Sequence, residues 1–368
     1  MEIFFDAKRL FYNSTGLGNY ARWLIKSYHE HHPEDSINLL KPGYKFSPWQ
    51  VEFELNGIKR IEYPNPLGIK RIFGLGEYIP PGKIFHGLSG EIPYFKNKRS
   101  IKALVTIHDV IFQNRKNDYS LIDRNIYHLK TKYAVHHSAH IIAISQKTKS
   151  ELIRWYNADP NKITVIYQNC APQFYQDVDS KSKILFQAKY GLPSNYFISV
   201  GSFNLRKNQL SILKALKTTK LSDRMPVVFI GEGNMKNKFR KTVLEMNLEN
   251  YCFFPENVSS NELCAAYSNA QALIYPSLSE GFGIPAVEAL AIGIPVICHE
   301  HTAVEEAAGN GGVFIDTSEP ELLAHKMVEL AHNSELRNDL INNGKAHIKN
   351  FSEKISMNQQ KFIYNMLA

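Results

Sequence analysis

A chain of 368 residues, 44% of them hydrophobic, is long for one domain and has the apolar content to bury two cores. No stretch reaches the roughly 18 apolar residues of a membrane-spanning helix, and Met1-Glu2-Ile3-Phe4-Phe5-Asp6 lacks the basic and apolar regions of an export signal, so a cytoplasmic protein is expected. The formal net charge of +8 admits an anionic partner, but no nucleic-acid recognition module is visible. Four cysteines, Cys170, Cys252, Cys264 and Cys298, are scattered among apolar neighbours without metal-ligand spacing and are expected to be reduced packing residues.

From the start, apolar strands alternate with amphipathic helical stretches. A strand at Ile3–Phe5 leads through Asn13-Ser14-Thr15-Gly16-Leu17-Gly18 to a helix over about residues 19–29, with Tyr20, Trp23, Leu24 and Ser27 on one side. The Gly16-Leu17-Gly18 turn before a helix fits either a tight turn or a phosphate site. Positive charge gathers next: Lys59-Arg60, Lys70-Arg71, Lys83, Lys96, Lys98-Arg99, Lys102 and Arg115-Lys116, with Tyr63, Ile72, Phe73, Leu75 and Tyr78 among them. Such a face is either solvated or suited to anionic lipid headgroups or an anionic acceptor.

Two apolar strands end in histidine, at Ile84-Phe85-His86 and at Ala103 to His108-Asp109. Ligands of open parallel sheets sit beyond the carboxyl ends of strands, so His86 and His108 are expected to face a crevice, with a structural role as the alternative. Asp109 either orients the site or caps its loop. Ser145 is placed to cap a helix over Gln146–Tyr156 or to face the site. His136, His137 and His140 lack a carboxylate or cysteine at ligand spacing, and no metal is expected there. The strand from Lys162 to Gln168 runs into Asn169-Cys170-Ala171-Pro172, where a hinge is expected.

The second half repeats the alternation. A strand at Phe197–Val200 precedes Gly201-Ser202-Phe203-Asn204-Leu205-Arg206-Lys207-Asn208 and a helix. Adjacent Arg206 and Lys207 near a helix start are unfavourable without an anion, and their donors suit phosphate oxygens. Further strands lie at Val227–Ile230 and Tyr251–Phe254, and Ser259 with Glu262 forms a capping box. Between the apolar runs Ala272–Tyr275 and Val296–Cys298 lies a turn and short helix. Gly281 and Gly283 permit close backbone approach, Pro285 suits the first helical position, Glu280 falls on the loop and Glu288 in the first helical turn. Two carboxylates beside an anion-binding helix start fit a sugar nucleotide, whose hydroxyls take carboxylates and whose pyrophosphate takes amides.

Glu280 and Glu288 with seven residues between them, Gly281-Phe282-Gly283 inside and Pro295 after, closely resemble the signature of retaining glycosyltransferases of family 4. The resemblance spans nearly the whole chain, and its most specific motifs lie in the second half. It implies an α/β protein of two Rossmann-like domains (the GT-B fold) facing each other across a cleft. The expected domains are 1–170 on the acceptor side, 171–350 for the nucleotide sugar, and 351–368 as a helix crossing back to the first. It places Glu280 at the donor sugar, Glu288 at the nucleotide ribose, and the backbone of Gly281, Phe282, Gly283 and Ile284 at the sugar and phosphates. Gly16 and Gly18 fall near the pyrophosphate, Arg206 and Lys207 with Gly201 in the phosphate-binding loop, the segment Pro255–Val258 including Val258 at the nucleobase, and His108 against the sugar. Many family members carry Arg directly after the glycine where this chain has Ser202.

The resemblance further implies a metal-independent transferase without a cofactor, moving a sugar from a nucleotide donor to an acceptor hydroxyl with retention, catalysed by Lys207, Arg206, Glu280 and His108. The Thr106-Ile107-His108-Asp109 and Arg206-Lys207-Asn208 pair resembles those of surface-polysaccharide mannosyltransferases, which favours GDP-mannose and a glycan or lipid-linked glycan acceptor. A sugar-nucleotide 2-epimerase and a noncatalytic sugar-nucleotide-binding protein are the alternatives.

Overall fold

The computed structural model describes residues 1–43, 57–64, 73–94 and 101–368. The chain divides into two compact units, Met1–Gln168 with Phe351–Ala368, and Asn169–Asn350. Of the basic stretch between residues 59 and 116, Lys70, Arg71, Ile72, Lys96, Lys98 and Arg99 lie outside the described residues.

The first unit is built on a parallel sheet of seven strands: β1 (Glu2–Asp6), β2 (Ser36–Pro42), β3 (Ile58–Tyr63), β4 (Ile84–Gly87), β5 (Lys102–Ile107), β6 (His140–Ala143) and β7 (Ile163–Val165), in the order β3-β2-β1-β4-β5-β6-β7. Side chains alternate faces along a strand. Ile3 and Phe5 therefore join a core with Leu24, Tyr28 and Tyr364, while Phe4 joins another with Phe85 and Val105. Both faces are covered, as a parallel sheet requires.

The helix Glu353–Leu367 supplies part of the first cover. Glu353 accepts from Trp23 Nε1 at 3.1 Å and Ser27 Oγ at 2.7 Å, and Lys361 Nζ lies 2.6 Å from Asp35. Asp35 also takes the amino terminus of Met1 at 2.6 Å and the Tyr28 hydroxyl at 2.6 Å. Burial opposes its charge, but Lys361, the terminal amine and Tyr28 overcome that, and its carboxyl is held below the ordinary range. The last helix is thus fixed to the first sheet by a buried, fully partnered carboxylate.

The second unit repeats the plan with six parallel strands: β8 (Tyr196–Val200), β9 (Val227–Ile230), β10 (Cys252–Phe253), β11 (Ala270–Tyr275), β12 (Val296–His299) and β13 (Gly312–Ile315), ordered β10-β9-β8-β11-β12-β13. Phe197, Phe229, Ile274 and Ile297 fill its core, each side chain contributing about 1.5–3 kcal/mol through burial. Each sheet starts in its middle, builds to one side, then returns to the other. Strand order therefore reverses between β1 and β4, and between β8 and β11. Loops leaving the carboxyl ends at such a reversal diverge and leave a crevice, where open α/β sheets bind ligands.

Candidate active site

The second reversal holds a cluster of two cations and one carboxylate. After β8, Gly201–Asn204 leads to a single 3-10 turn, Leu205–Lys207, and Asn204 Oδ1 caps it by accepting the Lys207 amide at 3.1 Å. From the neighbouring β11, the loop Pro276–Gly283 meets this turn, with the Leu278 amide donating to the Arg206 carbonyl at 2.9 Å. Loop geometry thus brings residues more than 70 positions apart into contact. Lys207 Nζ sits 2.6 Å from Glu280 Oε1, and Arg206 Nη1 sits 2.8 Å from Glu280 Oε2. The Ser277 hydroxyl donates to Oε1 at 2.5 Å. Lys207 also donates to the Tyr275 hydroxyl at 2.5 Å, its ammonium 4.6 Å from that ring's centroid. A Cβ at Gly201 would lie 3.5 Å from Lys207 Nζ, so the ammonium rests over the glycine.

The cations near a helix start therefore do have an anion, and it is internal. Burial opposes ionising Glu280, but Lys207, Arg206 and Ser277 win and draw its carboxyl down to about 2. Burial, helped by Arg206, lowers Lys207 against the pull of Glu280. The result is an ionised group of two cations and one carboxylate, with a net positive charge at the mouth of the sheet.

The chain leaves Glu280 through Gly281-Phe282 into the helix Ile284–Ile292. Gly283 takes φ of 129°, and a Cβ there would lie 3.3 Å from Val304 Cγ2. Only glycine makes this bend without strain. Pro285 falls in the first two positions and has no amide of its own, the Ala286 and Val287 amides turn back to the Gly283 carbonyl at 2.9 and 3.4 Å, and the helix start presents the positive end of its dipole. Glu288 stands in the second turn and not the first, because the helix already begins at Ile284. Tyr267 donates to Glu288 Oε2 at 2.9 Å, and burial pushes the Glu288 carboxyl up to about 7 against that bond. Burial, then the charge of Glu288, lifts the Cys170 thiol to about 12 and the Cys264 thiol to about 11, so both are protonated packing groups. Val258 follows β10 at the far edge of the same sheet, just before the capping box in which Ser259 Oγ accepts the Glu262 amide.

In the first unit, Gly16 and Gly18 lie inside the first turn of the helix Gly16–His31 and not in a turn before it. A Cβ at Gly18 would fall 1.8 Å from the Asn13 carbonyl oxygen, whereas Gly16 has open space around its Cα. Gly18 is thus required by packing. Asn13 Oδ1 meanwhile accepts the Thr15 amide at 2.9 Å and the Gly18 amide at 3.1 Å. His108 sits one residue past β5. Its Nε2 donates to the Leu88 carbonyl at 2.9 Å, leaving Nδ1 to accept from Gln168 at 3.3 Å, and its ring stands edge-on to Tyr20 at 4.6 Å. Burial and Arg9 lower its pKa to about 4, against the Leu88 bond, so the imidazole is neutral near pH 7.

His86 departs from expectation. It is fully buried within β4, its ring nitrogens 2.8 Å from the Tyr364 and Thr106 hydroxyls, and burial drops its pKa to about 3. The last helix covers that face of the sheet, so His86 is a satisfied core residue. Asp109 caps its own loop through the Ile111 amide at 3.1 Å, and Ser145 caps the helix Gln146–Tyr156 through the Thr148 amide at 3.0 Å. His137 and His140 make separate bonds to the Tyr133 carbonyl and Thr164, and no group of three or more metal-ligating side chains gathers among the described residues. Sequence alone does not point to Tyr275 or Ser277. Neither has a motif of its own, and only the return of β11 beside β8 reveals them.

Two Rossmann-like parallel sheets in one chain are the architecture of the GT-B fold, and the Anabaena protein HepE, solved with UDP and glucose, superposes on it with a TM-score of 0.75 at 15% identity, over all of both chains. The chain belongs to the glycosyl transferases group 1 family, which residues 181–347 match, and residues 85–168 match Glycosyltransferase Family 4. Among curated relatives, the O-antigen chain mannosyltransferase RfbU of Salmonella typhimurium is 30% identical over 61% of this chain and 58% of its own length. The match thus spans less than two thirds of that protein. An uncharacterized glycosyltransferase of Methanocaldococcus jannaschii is 30% identical over 74% of this chain and 71% of its own.

Proposed function

We propose that this glycosyltransferase moves mannose from GDP-mannose to a hydroxyl of a glycan or lipid-linked glycan, with retention and without a metal ion. The observation that carries the reading is the Arg206–Lys207–Glu280 cluster at the β8/β11 reversal. Two cations fixed beside a helix start suit the diphosphate that leaves, and they supply the charge a divalent ion otherwise brings. The anomeric carbon loses its bond to phosphate and gains one to the acceptor oxygen on the same face. The acceptor proton passes to the departing phosphate oxygen, so no side-chain base is needed. Glu280 holds the sugar and Glu288 the ribose, with the backbone of Gly281–Ile284, Gly201, Gly16 and Gly18 near the phosphates and Val258 near the base. His108 is assigned to the sugar by resemblance. Mannose as the sugar is supported by the mannosyltransferase relative. Membership in a transferase family leaves the epimerase alternative without support. No helix among the described residues is long and apolar enough to cross a membrane, and contact with an anionic membrane is proposed as peripheral.

The test is to incubate the protein with GDP-mannose and with other sugar nucleotides, with and without lipid-linked glycan, in the presence of a chelator. Acceptor-dependent release of GDP and an α-linked product are expected. Epimerised donor, or binding without turnover, contradicts the proposal.

Glu288 gives the site a pH dependence. Ribose hydroxyls donate to a carboxylate, so binding needs Glu288 deprotonated. With its pKa near 7, affinity for GDP should weaken by up to about tenfold per unit as pH falls below that value. Calorimetric titration of the protein and of Glu288→Gln checks this. The variant should bind weakly and without the slope, and a flat profile in the wild type removes Glu288 from the ribose. In the free protein the sign reverses. Folding favours the protonated acid, so this group's contribution to stability is full below the ordinary carboxylate range and is lost as pH rises through about 7.

A further inference from the structure

We propose that the outward face of the helix Leu121–His137 docks on an anionic lipid surface. The proposal names the surface for the peripheral membrane contact and is independent of the donor assignment. The helix buries only Thr131, Ala134 and Val135, all in its second half. Its first half is held from one side by rings: Tyr127 lies 5.8 Å from Phe112, and His128 stacks on Tyr156 at 5.4 Å. At 3.6 residues per turn these anchors share one side, and Leu121, Ile122, Ile126 and Leu129 occupy an arc of about 140° on the other. Those four aliphatic side chains are 68%, 73%, 44% and 65% exposed. An apolar stripe turned away from the core is out of place on a water-soluble helix and marks an interaction surface.

Charge selects the occupant. Between Arg115 and His137 there are five cations and two carboxylates. Exposed Lys132 falls within the aliphatic arc and exposed Lys116 lies just ahead of the helix, whereas Asp123 falls outside the arc, tied to the Ser120 cap at 2.7 Å. Aliphatic side chains flanked by lysine are the pattern of a helix lying in the plane of a bilayer interface, with apolar groups among the acyl chains and ammonium groups at anionic headgroups. A second copy fits less well, because the arc that carries Lys132 holds no carboxylate to offer the lysine of another copy.

The experiment is co-sedimentation of the whole chain with vesicles of phosphatidylcholine alone and with phosphatidylglycerol added. Binding is expected only to the anionic vesicles and should weaken with salt. Ile122→Gln with Leu129→Gln keeps a good helix former at exposed sites, so melting temperature and transfer to a water-soluble acceptor should hold while vesicle affinity drops at least about tenfold. Lys116→Gln with Lys132→Gln should abolish the preference for anionic lipid. If the wild type ignores anionic vesicles, membrane contact itself is refuted. If it binds and the Ile122/Leu129 variant binds equally well, only this face is refuted. A concentration-dependent dimer that the variant abolishes, without vesicle binding, assigns the stripe to a second copy and overturns the proposal.

Discussion

Lys207→Ala is expected to lower kcat/KM for sugar transfer at least about a hundredfold, the scale on which removing one fixed charge donor from a developing anion acts. Lys207 is 9% exposed and held on three sides, by Glu280, by the Tyr275 hydroxyl and by the face of the Tyr275 ring. An ammonium so placed needs no reorganisation when the diphosphate departs. Alanine also strips Glu280 of its nearer partner, and breaking a buried pair typically costs about 3–5 kcal/mol. Arg206 still compensates that carboxylate, so the loss of stability should fall at or below the lower end. Steady-state kinetics beside thermal melts separate the two effects: a folded variant with the predicted loss keeps Lys207 at the diphosphate, and near-normal turnover removes it. Arg206→Ala should cost less, because its side chain is 22% exposed against 11% for Lys207 and screening by water weakens what it can add.

Most of the frame is legible in the sequence because parallel strands, buried on both faces, leave short apolar runs that end in turn residues. Ile3–Phe5, Phe197–Val200 and Val227–Ile230 stand out for that reason. β2 does not, since Asn38 and Lys41 interrupt its apolar run, nor does β3, where Lys59, Arg60 and Glu62 dominate. Local chemistry reads well wherever a short-range bond fixes it, as in the caps at Ser145 and Ser259. What the chain order hides is pairing across sequence distance. Sequence assigns Arg206 and Lys207 to a ligand's phosphates and Glu280 to a sugar, and nothing in either segment says that the three side chains contact one another. His86 is misplaced for the same reason: Tyr364, its partner, arrives 278 residues later on the last helix.

That pairing makes Glu280→Gln the more discriminating experiment. The amide keeps the shape and still accepts a hydrogen bond, yet deletes the one negative charge paired with Arg206 and Lys207. Buried Lys207 and half-buried Arg206, left without a counter-ion, should welcome an added one, so affinity for GDP is expected to rise, by several-fold or more given about 1.5–3 kcal/mol per charged hydrogen bond less its desolvation. Transfer should nevertheless fall by about two orders of magnitude, because a sugar hydroxyl that donates to a carboxylate finds a weaker acceptor. Since its carboxyl is pulled to about 2, Glu280 is ionised throughout the working pH range, and the loss should be the same at pH 6 as at pH 8. Binding and turnover that move in opposite directions show one carboxylate serving both as counter-ion to the phosphate site and as acceptor for the sugar. Turnover that survives while GDP affinity rises leaves only the first role, and the sugar must then be held elsewhere.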